Sequence, residues 1–283
     1  MILGVDVGNY ATKSSKGVIF ESKVSKMNKE LSNKSKMNLN GKRYFIGQGS
    51  FDGEFRKISK PTYIQLLYAA LCKSTSNKEI ELALGLPLSQ YKEDKENLKS
   101  LIMGNYHLEG DKEFYITHVE VYPEGIVCTD MGYEGIVVDI GGRTTDVCFI
   151  EQLNGRRKVI NPISIPKGTI NLENEFINVL NSKYGIDLKI NDFKRILKNG
   201  LCFYGKQQDI TFAIDIFKDY LEDLIKEIDI EYNVKLNNIA FGGGGTITLA
   251  KPIIKRLPHA EILNDAVFGN AKSYERLLKE EFR

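Results

Sequence analysis

The sequence predicts a duplicated α/β fold, two halves of similar plan with a cleft between them. Three observations carry that expectation. One short phrase occurs twice, as Gly4-Val-Asp6-Val-Gly8-Asn9-Tyr10-Ala-Thr12-Lys13 and as Val137-Val-Asp139-Ile-Gly141-Gly142-Arg143-Thr144-Thr145-Asp146. Asp6 then falls on Asp139, Gly8 on Gly141 and Thr12 on Thr145. Strands and helices come in two batches, each opened by this phrase, as layered α/β halves require. Late in the second batch a strand runs into four glycines, Gly242 to Gly245, and a helix departs from them.

The elements follow in order. Residues 2–7 are an apolar run of strand type, and 17–24 read as its partner. Residues 25–60 are polar and turn-rich, with a hairpin at Asn40-Gly41, because both central residues of a type I′ turn need positive φ. A helix is expected over 62–73, where Tyr63, Leu66, Leu67, Ala70 and Leu71 share a face behind Pro61 and the cap candidate Thr62. A buried strand over 79–85 stops at Gly85-Leu-Pro87. A helix around 91–103 and strands near 105–109 and 114–121 follow, the last ending in Val121-Tyr-Pro123-Glu124-Gly125. Residues 135–140 and 145–151 are strands around the second Asp-Gly turn, and Asn154-Gly155 closes a hairpin into 157–161. Helices are expected over 169–184, 191–198 and 211–228; in the last, Ile214, Phe217, Leu221, Leu224, Ile225 and Ile228 keep helical spacing. A strand at 237–241, a helix at about 246–256, a strand at 260–262 and a closing helix at 271–281 complete the chain.

At 283 residues the chain has room for two domains, or for one large domain split by a cleft. A formal net charge of +2 gives no reason to expect direct binding to nucleic acid. The local basic excess from Lys23 to Arg43 reads as a solvated face of a small polar subdomain, the alternative being a contact with an acidic partner or a neighbouring copy. Cys72, Cys128, Cys148 and Cys202 are widely spaced and form no CxxC pair, which suits buried free thiols in a reducing compartment. The first residues run straight into a strand rather than a leader, and no apolar run approaches the length of a membrane span. The expected location is the cytoplasm, away from membranes.

The turns suggest the chemistry. Gly8 lets the backbone approach a ligand, and free N–H groups in such turns point at phosphate oxygens. Lys13, on the following strand, is within reach of a β- or γ-phosphate. Asp6, at a strand end, suits Mg²⁺ held through water. The second turn repeats this with Asp139, Gly141 and Gly142. One Asp-x-Gly is a common turn; two in matched strand-turn-strand settings are stronger evidence of a phosphate grip. The strand-glycine-helix stretch Ile239 to Thr246 presents bare backbone and a helix N-terminus, which suits a flat purine or a phosphate. Glu124, just after a strand, is placed to orient a water for attack on a γ-phosphate. His107, His118 and His259 are scattered singly and read as structural or exposed.

These residues carry a resemblance over nearly the whole chain. Two Asp-Gly phosphate loops, a Gly-rich adenosine loop and duplicated halves resemble the actin, Hsp70 and sugar-kinase superfamily. Within it the chain most resembles bacterial actin-like ATPases of the plasmid-segregation ParM type. Asp6 to Lys13 is similar to the family's first phosphate loop, Val121 to Glu124 to the stretch that supplies the hydrolytic Glu, Asp139 to Asp146 to the second phosphate loop, and Phe241 to Thr246 to the adenosine loop. Softer similarities are Gly85-Leu-Pro87-Leu-Ser89, Ile165-Pro-Lys-Gly168 and Phe268-Gly-Asn270-Ala.

The resemblance implies actin-like (ribonuclease H-like) halves with a nucleotide cleft between them. Residues 1–134 plus 263–283 would form domain I, with a small variable subdomain at about 25–60, and 135–262 would form domain II. It implies ATP or GTP with Mg²⁺ in the cleft. Asp6 and Asp139 would organise the metal through water, and Glu124 would position the attacking water. Gly8, Asn9, Tyr10, Lys13, Gly141, Gly142, Arg143, Thr144, Gly242, Gly243, Gly244 and Thr246 would bind nucleotide, and Lys198 would border the adenine. It further implies a head-to-tail helical filament of the chain with itself, captured in the family by a DNA-binding adaptor protein on centromere-like plasmid DNA, with no direct nucleic-acid contact. The alternatives are a small-molecule kinase of the same superfamily, such as a type III pantothenate kinase, and a non-hydrolysing cytoskeletal scaffold. A chaperone is disfavoured because the chain has no room for a peptide-binding domain after the ATPase halves.

Overall fold

A computed structural model of the chain describes residues 1–154 and 156–282. In the first half the elements are β1 (Ile2–Val7), β2 (Ala11–Ser14), β3 (Ile19–Glu21), β4 (Lys23–Ser25), β5 (Lys36–Leu39), β6 (Lys42–Phe51), α1 (Tyr63–Ser74), β7 (Glu79–Leu86), α2 (Leu88–Met103), β8 (His107–Leu108) and β9 (Phe114–Pro123). The second half contains β10 (Gly135–Ile140), β11 (Thr145–Leu153), β12 (Arg156–Ile165), α3 (Thr169–Tyr184), α4 (Phe193–Asn199), β13 (Leu201–Phe203), β14 (Lys206–Gln208), α5 (Thr211–Glu231), β15 (Ile239–Gly242), α6 (Gly244–Arg256) and β16 (Glu261–Ile262). The last helix is α7 (Gly269–Glu281).

The duplication is visible in the sheets. Among the described residues one main sheet has the order β3-β2-β1-β7-β9-β8 and the other β12-β11-β10-β15-β16. In each, the strand that ends in the Asp pairs antiparallel with the strand after the turn and parallel with the next strand inward. Each sheet has its own apolar core. The first gathers Leu3, Val5, Leu66, Leu82, Leu84 and Phe114. The second gathers Ile136, Val138, Phe176, Phe217, Leu224 and Phe241. Helix α7 returns to the first half and packs on β1 and β7. The small residues Gly4 and Gly85 let it approach: a Cβ at Gly4 would run into the Ala271 carbonyl, and one at Gly85 into the Tyr274 ring.

The Asn40-Gly41 hairpin forms as expected, joining β5 and β6 with φ of 48° and 72°. Helices α3, α5 and α7 and strands β7, β9, β10 and β15 form where the sequence places them. The expected turn residue Gly155 lies outside the described residues.

Some expectations need correction. The antiparallel partner of β1 is Ala11–Ser14, not the 17–24 stretch, whose Ile19–Glu21 pairs one strand further out. The inward side chains of β2 are Thr12 and Ser14, fully buried but polar and bonded to Ser22 and Ser74, so no apolar run marks the strand. Thr62 precedes α1 without capping it; its hydroxyl donates to Asp52 at 3.2 Å. The β13–β14 hairpin went unforeseen, and Cys202 in it is exposed rather than buried. Lys23 is buried too, its ammonium lying 4.3 Å from the Phe51 ring centre, so the basic stretch is not uniformly solvated.

Candidate functional site

The two Asp-Gly turns face each other across a cavity of about 430 Å³, within the range of small-molecule sites. Each is built the same way. Val7 pairs with Thr12 and Asp6 with Lys13 in the first hairpin; Ile140 pairs with Thr145 and Asp139 with Asp146 in the second. The residues that make the two phrases unequal, Lys13 and Asp146, therefore stand directly opposite their Asp partners. Gly142 brings the turns together, since a Cβ there would collide with Tyr10 of the first turn.

Ion pairs form the floor. Lys13 Nζ lies 3.3 Å from Asp6 Oδ2. Lys57, only 1% exposed, reaches in from the polar segment before α1. Its ammonium lies 3.4 Å from Asp6 Oδ1 and 3.4 Å from the Gly85 carbonyl, and donates to Glu124 Oε1. Glu124 is placed by backbone: its N–H donates to Leu86 O at 2.9 Å, which fixes the end of β9 against β7. Asp139 Oδ2 accepts from Asn270 Nδ2 at 2.9 Å. Asp146 Oδ2 accepts from the Thr144 hydroxyl at 3.4 Å, while its Oδ1 is buried with no partner among the described residues.

Charge and burial compete here. Burial acts most strongly on Asp6, but Lys13 and Lys57 outweigh it and hold the carboxyl below its ordinary value. Burial pushes Glu124 up to about 7 against the pull of Lys57, and pushes Asp146 up to about 8, helped by the charges of Glu124 and Asp139. Burial likewise raises Asp139. On the floor of the cleft the carboxyl groups of Asp6, Glu124, Asp139 and Asp146 outnumber the ammonium groups of Lys13 and Lys57, and a divalent cation there would favour the ionised carboxylates against burial. Among the described residues no three His, Cys, Asp or Glu side chains converge to hold a metal directly. The donor set thus fits an ion reached through water from Asp6 and Asp139. The turn backbones and the Lys13 ammonium supply donors that fit the phosphates of a nucleotide.

Gly243 closes this floor from the second half. Its φ of +81° is in the left-handed region, and a Cβ there would strike Asp139 Oδ1. Gly243 and Gly244 open α6 toward the cavity, where the free N–H groups of a helix N-terminus favour an anion.

Most of the sequence-derived site residues line this cavity: Asp6, Gly8, Asn9, Tyr10, Lys13 and Glu124 from the first half, and Asp139, Gly141, Gly142, Thr144, Gly243 and Gly244 from the second. Four do not. Arg143 points outward and donates to Gly53 O at 2.8 Å. Gly242 lies in β15 against Leu263. Thr246 is fully buried, its hydroxyl turned back to Gly242 O within the first turn of α6. Lys198 is exposed, and Lys194, one turn earlier on α4, lines the cavity instead.

Sequence reasoning missed four contributors. Lys57 gave no signal in a polar segment. Asn270 sat in a motif noted only as a soft similarity. Glu173 accepts from Tyr10 OH at 3.2 Å, and Lys194 lies 4.9 Å over the Tyr10 ring and 3.4 Å from Glu21, so α3 and α4 grip the first turn. The helical spacing of Lys194 and Lys198 was the available signal for the last of these.

Two family models match the chain, the N-terminal domain of actin-like proteins over residues 4–126 and the C-terminal domain of archaeal MreB-like actin homologues over residues 137–254. The chain belongs to the actin-like proteins. No curated protein matches its sequence. Solved structures match it from end to end. The archaeal actin homologue Ta0583 in native form is 22% identical over 99% of both chains with a TM-score of 0.81, and its complex with ADP is 19% identical over 99% of both with a TM-score of 0.80. A ParM from Clostridium botulinum, seen as a 15-stranded filament, is 19% identical over 99% of both with a TM-score of 0.81. At these identities the likeness establishes the two-domain actin-like fold, which is the fold that the resemblance implies and agrees with the duplicated α/β plan read from the repeated phrase.

Proposed function

We propose that this actin-like protein is a nucleotide-dependent, filament-forming ATPase whose filaments segregate plasmid DNA. The observation that carries the reading is the pair of opposed Asp-Gly turns with Glu124 between them on a buried ammonium. The ADP bound to the archaeal homologue and the filament of the clostridial ParM support it.

In this reading residues 1–134 plus 263–283 form one body and 135–262 the other, with ATP, or GTP, between them. Mg²⁺, when bound, would favour the ionised form of the carboxyl groups on the cleft floor, and Asp6 and Asp139 would hold it through water. Lys13 and the turn N–H groups neutralise phosphate charge, the electrostatic part of phosphoryl transfer. Glu124 accepts a hydrogen bond from the attacking water, and Lys57 holds that carboxylate in place. Gly141, Gly142 and Thr144 cradle phosphate from the second half, while Gly8, Asn9 and Tyr10 do so from the first. Closure around the nucleotide changes the surface shown to the next copy, and a head-to-tail contact that does not close on itself grows into a filament. A DNA-binding adaptor would link that filament to its cargo, in keeping with the near-neutral chain and a cytoplasmic setting; among the described residues no helix is long and apolar enough to cross a membrane.

Light scattering with MgATP is expected to rise at micromolar protein and to fall as phosphate is released. A flat trace with nucleotide bound would refute the filament. One observation favours a second reading, a small-molecule kinase: Asp146 places a buried, unpartnered carboxyl oxygen in the cleft, where a substrate hydroxyl would need a base. That reading requires ATP turnover that appears only with an added hydroxyl acceptor.

A further inference from the structure

Asn270 links parts of the molecule that the proposed chemistry needs in register. It is the second residue of α7, and its side chain is buried. Its Oδ1 accepts from the Gly125 N–H at 2.9 Å and from the Cys128 thiol at 3.1 Å. Its Nδ2 donates to Asp139 Oδ2 at 2.9 Å. Gly125 follows Glu124 directly, has a φ of +75°, and lies so close to Asp139 that a Cβ on it would stand 2.9 Å from the Asp139 Cβ. Helix α7 is docked on β1 and β7 of the first half, whereas Asp139 ends the central strand of the second.

We infer that Asn270 is a positioning residue that sets the spacing between the Glu124 turn and Asp139, and so couples the approach of the two halves to alignment of the site. An amide does both tasks with no proton to take up. An Asp keeps the acceptor for Gly125 but meets Asp139 as a second carboxyl, and bonds it only by holding a proton between them, which alters the charge of Asp139; an Ala loses both and leaves a buried N–H and a buried carboxylate oxygen unsatisfied. The inference rests on the hydrolytic reading for its kinetic consequence, but the bonds themselves are testable without nucleotide.

The test combines amide hydrogen exchange in the nucleotide-free protein with single-turnover and steady-state phosphate release. In Asn270→Ala, exchange at the Gly125 amide is expected to quicken at least tenfold while peptides from β7 keep their protection. In the isosteric Asn270→Asp, Gly125 exchange is expected to stay within threefold of the unaltered chain. Its turnover should fall at least tenfold with KM changed less than threefold. Gly125 exchange within twofold of the unaltered chain in Asn270→Ala overturns the inference, as does turnover within twofold in Asn270→Asp. If the unaltered chain releases no phosphate, the function proposed above fails, and exchange at Gly125 alone decides the role of Asn270.

Discussion

Glu124→Ala is expected to leave nucleotide-driven assembly intact and to slow phosphate release by ~10²–10⁴-fold, the usual contribution of a positioned general base. In the proposed function assembly needs the halves closed on bound nucleotide, and hydrolysis also needs an acceptor for the water proton. The carboxylate sits at the end of β9, fixed by the Leu86 carbonyl and by Lys57. Glu124→Gln makes the cleaner comparison, since its amide oxygen still accepts from Lys57 while its basicity is gone. Phosphate release at the unaltered rate in both variants would remove Glu124 from the chemistry and shift attention to Asp146.

Lys57→Met should destabilise the protein by ~3 kcal/mol, the lower end of what removing one partner of a buried ion pair costs. The lower end is expected because Glu124 titrates at about 7 and can take up a proton when its partner is gone, whereas Asp6 keeps Lys13. For a chain of this size that corresponds to a Tm lower by roughly 5 °C. The double variant Lys57→Met with Glu124→Gln should regain part of the loss, because the orphaned charge is then neutral. Thermal unfolding decides it: an unchanged Tm in Lys57→Met would mean that the ammonium holds nothing together.

Much of this molecule was legible because strong local signals agreed with the global plan. Asn40-Gly41 demanded a hairpin, the apolar spacing of 211–228 demanded a helix, and the second Asp-Gly phrase demanded two strands about its turn. The inequality of Lys13 and Asp146 in the phrases is reproduced as two cross-strand pairs, Asp6 with Lys13 and Asp139 with Asp146. What escaped was decided by tertiary context. Lys57 lies among residues typical of a surface and is buried only because Asp6, Glu124 and the Gly85 carbonyl meet its ammonium. Strand β2 hides because its inward residues are Thr12 and Ser14, whose hydroxyls find partners. The resemblance points to Lys198 on α4, whereas Lys194, one turn earlier on the same helix, lines the cavity; a resemblance to a helix does not tell which of its turns reaches the cleft. Thr246 comes from the resemblance of Phe241 to Thr246 to an adenosine loop, and its hydroxyl bonds its own helix.

The central claim is that a nucleotide sits between the two Asp-Gly turns and is held there with a divalent ion. Calorimetric titration of the unaltered chain with a non-hydrolysable ATP analogue tests it most directly, run with magnesium and again with chelator. One saturable site per chain, weakened at least tenfold by the chelator and by Asp6→Ala, is the expected result. No binding at millimolar nucleotide with magnesium present, in a chain that is folded by its thermal transition, would contradict it.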